Sequence, residues 1–528
     1  MKNGIEFIGK RNRTRFLVFA ITVILMMGAI IYSTFHFDTS KKLMGVDVIS
    51  QGDIDAMTLI SHINKEIYHY PIKFEGRLLP YDWQEETLYI PQNIEKKNFF
   101  GDLTADYGQL YFSDTVLVDG NIKKLSEYDK KSELIEKNAI LSLYLIIDGF
   151  NYVKYNVVIT GMPTITLNYD SYDEDTVSWF GEMNLIDPYH NENMFIESGC
   201  KFRKRGDSTS TYDKSSYNLT LNNKESLVGL RTDDDWALIA LLEDNGYVHN
   251  KLSYDLWNDI TRDNGVGWDK TVNSEFGEVF YDNMYVGMYL LTEKVDRKLG
   301  DLNKKDILYR LEETVYDSAD PNMSITHVYS IKHPNDYTES DFEQINEFER
   351  TFFSTGEFDY KRAKSLLNMN NAIDMNLYSM LISATDNMGK NAFFVSVAKD
   401  DYKISEVMWD MNETFGDNME FYEETITDPD MMVPHMSRLY KANPSEMSKL
   451  LYLRWCELRG SCVKPKKIKR KVENMVSYMT ASGALRREKE RWQDINNPSW
   501  KMDNIYKYID GRIDYLDAHL KEEYEKYN

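Results

Sequence analysis

Three side chains in the second half of the chain have the types and spacing of a divalent-cation site. Asp386 stands five residues before Asn391, and Asp410 ends a later apolar run. Hard cations take carboxylate and amide oxygens as ligands, and Mg²⁺ usually uses one or two carboxylates together with substrate phosphates. These side chains therefore predict a metal site, provided that the fold brings them together.

The stretch from Asn391 to Asp410 predicts a β-hairpin. Two runs of apolar, β-branched and aromatic residues flank Lys399-Asp400-Asp401, which has the composition of a turn. A hairpin returns the chain to its starting end, so Asn391 and Asp410 are expected to lie side by side. The remaining sequence must form the framework that holds this pair.

Residues 65–175 are rich in strand signals. Apolar runs at 139–147, 152–159 and 164–168 are separated by Asp148-Gly149 and by a turn at 161–163. Strands and turns at this spacing predict a small β-sandwich-like accessory domain. No residue pattern in it suggests chemistry, so a spacer or a binding module is expected.

Residues 176–528 predict a mixture of strands and helices. A strand is expected at 217–221, a helix at 249–260, and a second hairpin over 276–291. Helical patterns follow at 340–383 and again at 434–525, on either side of the hairpin that carries Asn391 and Asp410. The chain as a whole is therefore predicted to have an α+β fold.

The N-terminal region predicts a membrane anchor. Residues 16–35 are uncharged and mostly Leu, Ile, Val, Met, Phe and Ala, and a transmembrane helix needs roughly 20 such residues. Five basic residues and one Glu precede them, which predicts a single-pass protein with a cytoplasmic tail at 1–15. A linker at 36–64 would then lead to a large extracytoplasmic region. A cleaved signal peptide is the alternative, but the stretch is long and lacks a small-x-small cleavage site.

Charge and cysteine content narrow the possible partners. The net charge is −23, and residues 1–15 contribute +4, so the exported part carries −27. Such a surface argues against nucleic acid and against an anionic membrane face. None of the three cysteines belongs to a Cys-x-x-Cys pair, so a zinc site based on them is not expected. Cys456 and Cys462 are spaced to form either a disulfide or two free thiols.

Several blocks, in order, resemble the CotH-type spore coat protein kinases over roughly residues 160–525. Lys204-Arg205-Gly206-Asp207-Ser208-Thr209 is similar to that family's Arg-Gly-Asn-Ser-Thr signature. Trp409-Asp410-Met411-Asn412 begins a block that is similar to its Trp-Asp-x-Asp-x-x-Phe-Gly. Further similar blocks lie at 181–188, 214–221, 226–230, 235–238, 280–295, 491–492 and 512–516.

The resemblance implies an atypical, secreted or membrane-anchored protein-kinase-like domain at 176–528 with a helical C-terminal part. It implies ATP with Mg²⁺ or Mn²⁺ as cofactors, and Ser or Thr of a cell-surface or spore coat protein as acceptor. Kinases place a catalytic Asp five residues before a metal-binding Asn and hold metal with a later Asp. The resemblance thus assigns Asp386 as catalytic base and Asn391, Asp410 and Asn412 as metal ligands. It makes nucleotide-binding candidates of four further residues: Arg205, Gly206, Lys214 and Glu293.

The chain also departs from the family pattern. Asn412 stands where the family has a second Asp, and the strand after Lys214 lacks the family's basic residues. These departures favour the alternative of a catalytically inactive kinase-like scaffold for coat or surface assembly, whereas intact Asp386, Asn391 and Asp410 oppose it. Taken alone, Asp386 is also typical of a turn residue that has no catalytic role. Transfer of another group such as AMP, and a wall-binding role for 65–175, remain open alternatives.

Overall fold

The computed structural model describes residues 41–59, 62–63, 70–95, 101–128, 131–148, 151–206, 211–262, 271–317, 324–354, 356–418, 420–429, 432–492 and 502–528. They form two compact units that divide between Gly161 and Met162. Both strands and helices are abundant, so the predicted α+β fold is confirmed.

The first unit is built on one large mixed sheet. The order in that sheet is β1-β2-β9-β11-β12-β7-β6, with β10 beside β9 and β3 beside β12, and β5-β4-β8 form a small second sheet. Its strands are β1 Lys42–Leu43, β2 Val46–Ile49, β3 His62–Ile63, β4 Ile72–Phe74, β5 Arg77–Leu78, β6 Tyr81–Asp82, β7 Thr87–Pro91, β8 Leu103–Ala105, β9 Gln109–Val118, β10 Asn121–Lys124, β11 Ile140–Asp148 and β12 Asn151–Thr160, and its helices are α1 Gln51–Thr58 and α2 Lys131–Glu136.

The second unit begins with a closed sheet of seven strands, in the order β13-β14-β15-β16-β17-β19-β18. Parallel pairing of β13 with β18 closes the sheet, and the other neighbours are antiparallel. Alternating apolar residues such as Phe202, Leu219 and Trp236 fill its interior. The strands are β13 Thr164–Asp173, β14 Ser178–Ile186, β15 Phe195–Arg205, β16 Ser216–Ser226, β17 Thr232–Ile239, β18 Ser274–Tyr281 and β19 Met284–Glu293.

Because β13 belongs to this closed sheet, the second unit begins before the predicted boundary at 175/176. The sequence indicates a strand at 164–168, but not which strand pairs with it. The actual partners are β14 and β18, which follow it in the chain.

A four-stranded sheet in the order β21-β20-β22-β23 and a helical region complete the second unit. One apolar core runs through both. The strands are β20 Ile307–Asp317, β21 Ser324–His333, β22 Ala392–Ser396 and β23 Ile404–Met408, with a short pair β24 Asp417–Asn418 and β25 Glu420–Phe421. The helices are α3 His249–Thr261, α4 Glu343–Phe353, α5 Tyr360–Leu366, α6 Met369–Ile382, α7 Pro434–Ala442, α8 Pro444–Gly460, α9 Pro465–Ala481, α10 Ala484–Arg491 and α11 Met502–Tyr527.

Local signals explain where the helix before the site begins and ends. Asn368 accepts a hydrogen bond from the backbone N–H of Asn371 and so caps the start of α6. The helix ends at Ser383, which adopts a left-handed conformation with φ of +50°. The chain therefore turns sharply just before Asp386.

In the described ranges, no helix has both the length and the apolar character that a bilayer span requires. The predicted transmembrane segment at 16–35 and the cytoplasmic tail at 1–15 lie outside these ranges.

Candidate active site

Strands β22 and β23 form the predicted hairpin, with Ala392 opposite Met408 and Ser396 opposite Ile404. Beyond the last pair, the Trp409 N–H donates to the Asn391 carbonyl oxygen at 2.8 Å. Asn391 and Asp410 therefore lie at the same end of the hairpin, and the predicted proximity is confirmed.

Asp386 lies at the same end of the hairpin, because the Asn391 side chain forms a hydrogen bond with it. The Asn391 Nδ2 donates to the Asp386 Oδ2 at 2.7 Å, and the Lys390 Nζ lies 3.0 Å from the Asp386 Oδ1. Lys390 is half exposed, and its pKa is raised by the hydrogen bond to Asp386. An amide that donates through Nδ2 keeps its Oδ1 as an acceptor. Asn391 can therefore donate to a carboxylate and bind a cation at the same time.

Asn387, a residue that the sequence analysis did not single out, ties the two sides of the site together. Its Nδ2 donates to the Asn391 carbonyl at 3.1 Å and to the Trp409 carbonyl at 2.7 Å. Asn391 and Asp410 have φ of +55° and +63°, a left-handed conformation that Asn and Asp adopt more readily than other side-chain-bearing residues. The two hydrogen bonds of Asn387 hold the chain in this conformation.

The loop after Asp410 is anchored on the start of α3. The Tyr254 hydroxyl accepts from the Asp410 N–H at 3.3 Å, and the Asn250 Oδ1 accepts from the Met411 N–H at 2.8 Å. Asn250 is itself held by Asp244, which accepts from its backbone and side-chain nitrogens. The same carboxylate contacts the buried His249 ring at 3.0 Å, which supports a structural role for that histidine.

A cleft lies between the closed sheet and this loop. It encloses about 540 Å³ of space, its open mouth included, and it brings together five of the predicted site residues. These are Arg205, Gly206, Lys214, Asp410 and Asn412. Arg205 ends β15, and its guanidinium stacks 5.2 Å from the centre of the Trp409 ring. Gly206 has φ of +97°, which suits glycine and allows a ligand to approach the backbone.

Lys214 is fully buried and forms an ion pair that the sequence did not reveal. Its Nζ donates to the Glu488 Oε1 at 2.5 Å and to the Met288 carbonyl at 2.8 Å. The Glu488 Oε2 in turn accepts from the Met288 N–H at 2.7 Å. Burial lowers the pKa of Lys214 and raises the pKa of Glu488, while each charge offsets the shift of the other.

Helix α10, which carries Glu488, is docked on the closed sheet by a second buried ion pair. Arg487 reaches both carboxylate oxygens of Glu278 at 2.8 Å. Gly287 on β19 has φ of +117°, and a Cβ added there would lie 2.4 Å from the Glu488 Oε2. A side chain at that position would therefore collide with the carboxylate oxygen that accepts from the Met288 N–H.

Glu293 is not part of the cleft lining. Its Oε1 accepts from the Arg231 N–H at 3.0 Å, and its Oε2 accepts from the backbone and side-chain nitrogens of Asn273 at 2.9 and 3.1 Å. It ends β19, whereas the cleft lies at the opposite end of the closed sheet, where β15 and β17 end and β16 begins. The predicted nucleotide contact is replaced by a structural one.

One further carboxylate, which was not among the predicted ligands, lies near them. Glu413, next to Asn412, is half-buried, and burial and then the charge of Asp386 raise its pKa. Asp410 and Glu243 act in the same direction. Carboxylate and amide oxygens, such as those of Asp410, Asn391 and Asn412, are the hard donors that Mg²⁺ and Mn²⁺ prefer. The donor set of this site therefore fits Mg²⁺ or Mn²⁺.

Among the described residues, one group of three carboxylates has its oxygens within 4.8 Å of one another, and that group is already neutralised. Asp233, Asp234 and Asp235 all accept from the Lys298 ammonium. Although burial opposes the change, the Lys298 hydrogen bond and the charge of Arg231 lower the pKa of Asp233 to about 2. This acidic run is part of a salt-bridge network.

A family model described as CotH kinase protein matches residues 202–518, which is more than half of the chain. The cleft, the hairpin and α10 all lie inside the matched range. No curated protein matches the chain.

Proposed function

The chain belongs to the CotH kinase protein family, and from this premise we propose that it transfers phosphate from ATP to Ser or Thr of a protein, with Mg²⁺ or Mn²⁺. One observation carries the proposal. Asp410 lines a cleft whose wall also carries two cations, Arg205 and Lys214, and the hydrogen-bonded pair of Asp386 and Asn391 lies beside Asp410 at the same end of the hairpin. Phosphoryl transfer depends mainly on such positioning and charge neutralisation.

Asp386 is the proposed base that orients the acceptor hydroxyl and takes its proton. Its carboxylate is held from one side by Asn391 and from the other by Lys390. Two donors on one carboxylate fix its direction, and a fixed carboxylate near a cation site can receive a proton as the acceptor oxygen attacks. The half-exposed Lys390 marks the side of Asp386 from which a protein substrate would approach.

Asp410, Asn391 and Asn412 would hold the divalent cation, which neutralises the triphosphate when it is bound. Asn391 offers the Oδ1 that its bond to Asp386 leaves free to accept, and Asn412 offers an amide oxygen without charge. Glu413, the next residue in the chain, would supply the carboxylate charge that Asn412 lacks.

Arg205, Gly206 and Lys214 would receive the phosphates. The Lys214 ammonium has three N–H donors, of which one serves Met288 and one serves Glu488. The pair resembles the Lys–Glu ion pair that protein kinases require, with the glutamate supplied here by α10. Gly206, which lacks a side chain, would allow phosphate oxygens to approach its backbone closely.

The acceptor is proposed to be a cell-surface or spore coat protein, and the protein itself to be anchored in the membrane through residues 16–35. The uncharged N-terminal stretch and the basic residues before it support this topology. The large negative charge of the remainder supports a protein partner over nucleic acid.

A catalytically inactive scaffold for coat or surface assembly is the second candidate. The observation in its favour is Asn412, which lines the cleft where the family has a carboxylate. A site that binds nucleotide without transferring phosphate would serve such a scaffold.

The test is phosphate transfer from labelled ATP to a Ser-rich protein by the full chain, with Mg²⁺ or Mn²⁺. Asp386→Asn and Asp410→Asn are each expected to reduce transfer by about 10²- to 10⁴-fold. Asp401→Asn is the matched control, because Asp401 lies at the far end of the same hairpin with φ of +52°, which Asn tolerates. Transfer that is unchanged in both site variants would refute the proposal, and nucleotide binding without transfer would favour the scaffold.

A further inference from the structure

A dense run of basic residues begins helix α9, although the chain as a whole has a net charge of −23. Residues 464–471 contain six basic residues and no acidic one. None of the six belongs to the cleft lining, so the proposed phosphate transfer gives them no role. We call these residues the basic patch: Lys464, Lys466, Lys467, Lys469, Arg470 and Lys471.

Most of the charge in the basic patch is not neutralised. Two of its lysines form ion pairs with neighbouring helices, Lys469 with Asp510 on α11 and Lys471 with Asp259 on α3. The other four are exposed and have no carboxylate partner among the described residues: Lys464, Lys466, Lys467 and Arg470. Like charges four positions apart, such as those of Lys466 and Arg470, destabilise a helix. An anion bound between them would remove that cost.

The direction of α9 adds to the positive charge. The N-terminal end of a helix carries a partial positive charge, and acidic or capping side chains normally lie there. The first turn of α9 contains no acidic residue, and its N-cap residue Lys464 forms no side-chain hydrogen bond with the helix. An anionic ligand at the basic patch would supply the negative charge that this helix end lacks.

A depression beside the patch has the size and much of the lining of a phosphate site. It encloses about 640 Å³ of space, its open mouth included. Because Asp510 is paired with Lys469, the guanidinium of Arg470 and the ammonium of Lys466 are left to bind a ligand. Arg binds phosphate through two parallel N–H donors, and Lys adds a point charge. The lining consists of Pro465, Lys466, Lys469, Arg470, Glu473 and Asp510.

The charge of the whole protein determines which anion fits the patch. Charges are screened beyond about 8 Å at physiological ionic strength, so a short anionic segment experiences mainly the patch. A long polyanion such as nucleic acid would also contact the acidic remainder of the surface. A phosphoserine carries about −1.5 to −2 charge at pH 7, which is more than Asp or Glu carries. A short phosphorylated protein segment therefore fits best.

We propose that the basic patch binds a phosphorylated segment of the acceptor protein. This inference rests on the proposed function, which would supply the phosphorylated residues. Helix α3 connects the two sites, because Asn250 at its start lines the cleft and Asp259, nine residues later, pairs with Lys471. Nine residues of helix measure about 14 Å, a distance that about five extended residues span. A partly phosphorylated acceptor would thus be held near the cleft.

The experiment measures binding of a short synthetic peptide with three phosphoserines to the full chain, by fluorescence anisotropy and without ATP. The phosphorylated peptide is expected to bind more tightly than its unphosphorylated twin. Lys466→Gln combined with Arg470→Gln is expected to weaken its binding at least about tenfold, since two charge-assisted contacts are lost. Lys441→Gln combined with Lys449→Gln is the matched control, because it removes the same charge from exposed lysines outside the patch. That control should leave the affinity within about twofold.

Three results would overturn the proposal. The phosphorylated peptide could bind no more tightly than its twin, or the patch variant could bind it as tightly as the control does. Affinity that is lost in Arg205→Gln but kept in the patch variant would place the peptide in the cleft. Equal or tighter binding of a short oligonucleotide, or of phosphatidylglycerol vesicles, would overturn the choice of partner. Because the assay contains no ATP, binding can fail while phosphate transfer succeeds, and the reverse.

Discussion

Replacing Lys214 by Met tests whether the buried pair with Glu488 holds α10 on the closed sheet. Both side chains are completely buried, and removal of one partner leaves a charge in a medium that solvates it poorly. Breaking such a pair typically destabilises a protein by about 3–5 kcal/mol. The Met side chain fills a volume similar to that of Lys, so little of the lost stability would come from a cavity. We expect Lys214→Met to reduce the free energy of unfolding by an amount in this range.

Adding Glu488→Gln to Lys214→Met distinguishes the destabilisation caused by an unpaired charge from that caused by lost packing. In the double variant, Gln still accepts from the Met288 N–H, and no uncompensated charge remains. We therefore expect the double variant to be more stable than Lys214→Met alone, with a coupling energy of about 2 kcal/mol, within the usual range for contacting residues. Lys204→Met, at an exposed position on β15, is the control and should change stability by no more than about 0.5 kcal/mol.

The assay is equilibrium unfolding of the full chain in urea, followed by tryptophan fluorescence and circular dichroism. It needs no nucleotide, so it is independent of the proposed activity. Two results would refute the reasoning about this pair. One is a decrease in the free energy of unfolding below about 1 kcal/mol in Lys214→Met. The other is a decrease in the double variant that equals the sum of the decreases in the two single variants.

Three further predictions concern other parts of the chain. Gly287→Ala should lower the unfolding midpoint, because its Cβ would meet the Glu488 carboxylate at 2.4 Å; an unchanged midpoint would contradict this. Maleimide should label the exposed Cys456 in the folded protein, whereas the buried Cys200, whose pKa burial raises to about 12, should react only after unfolding; early labelling of both would argue against the packing described. Arg512→Met should cost several kcal/mol in urea unfolding, because the buried guanidinium donates to four backbone carbonyls; a loss under about 1 kcal/mol would show that those carbonyls find other partners.

The features that could be predicted from the sequence depend on residues that are close in the chain. The hairpin between Asn391 and Asp410 was predicted because alternating strand residues and a turn define it locally. The adjacency of Asp386 and Asn391 follows from the same short stretch. The helix at 249–260 and the hairpin over 276–291 were likewise predicted, and the structure has them as α3 and as β18 with β19.

The features that were missed depend on tertiary contacts. Glu488 is 274 positions from Lys214, and nothing in the surrounding Arg-Glu-Lys composition distinguishes it from a solvent-exposed glutamate. Glu293 was assigned to the nucleotide through the family resemblance, but only the path of the closed sheet determines which end of its strand faces the cleft. Cys456 and Cys462, for which a disulfide and free thiols were both possible, are free thiols.

The position of α10 has a consequence for the order in which the protein assembles during synthesis. Chains emerge from the ribosome N-terminus first, so the strands around Lys214 are available long before Glu488 is made. Until then, the closed sheet would have to bury an ammonium group without its counter-ion. We expect the sheet to stay loose, and the cleft incomplete, until the last helices have been synthesised. Nascent chains halted before α10 should accordingly be digested by protease at the closed sheet, whereas chains released after it should resist.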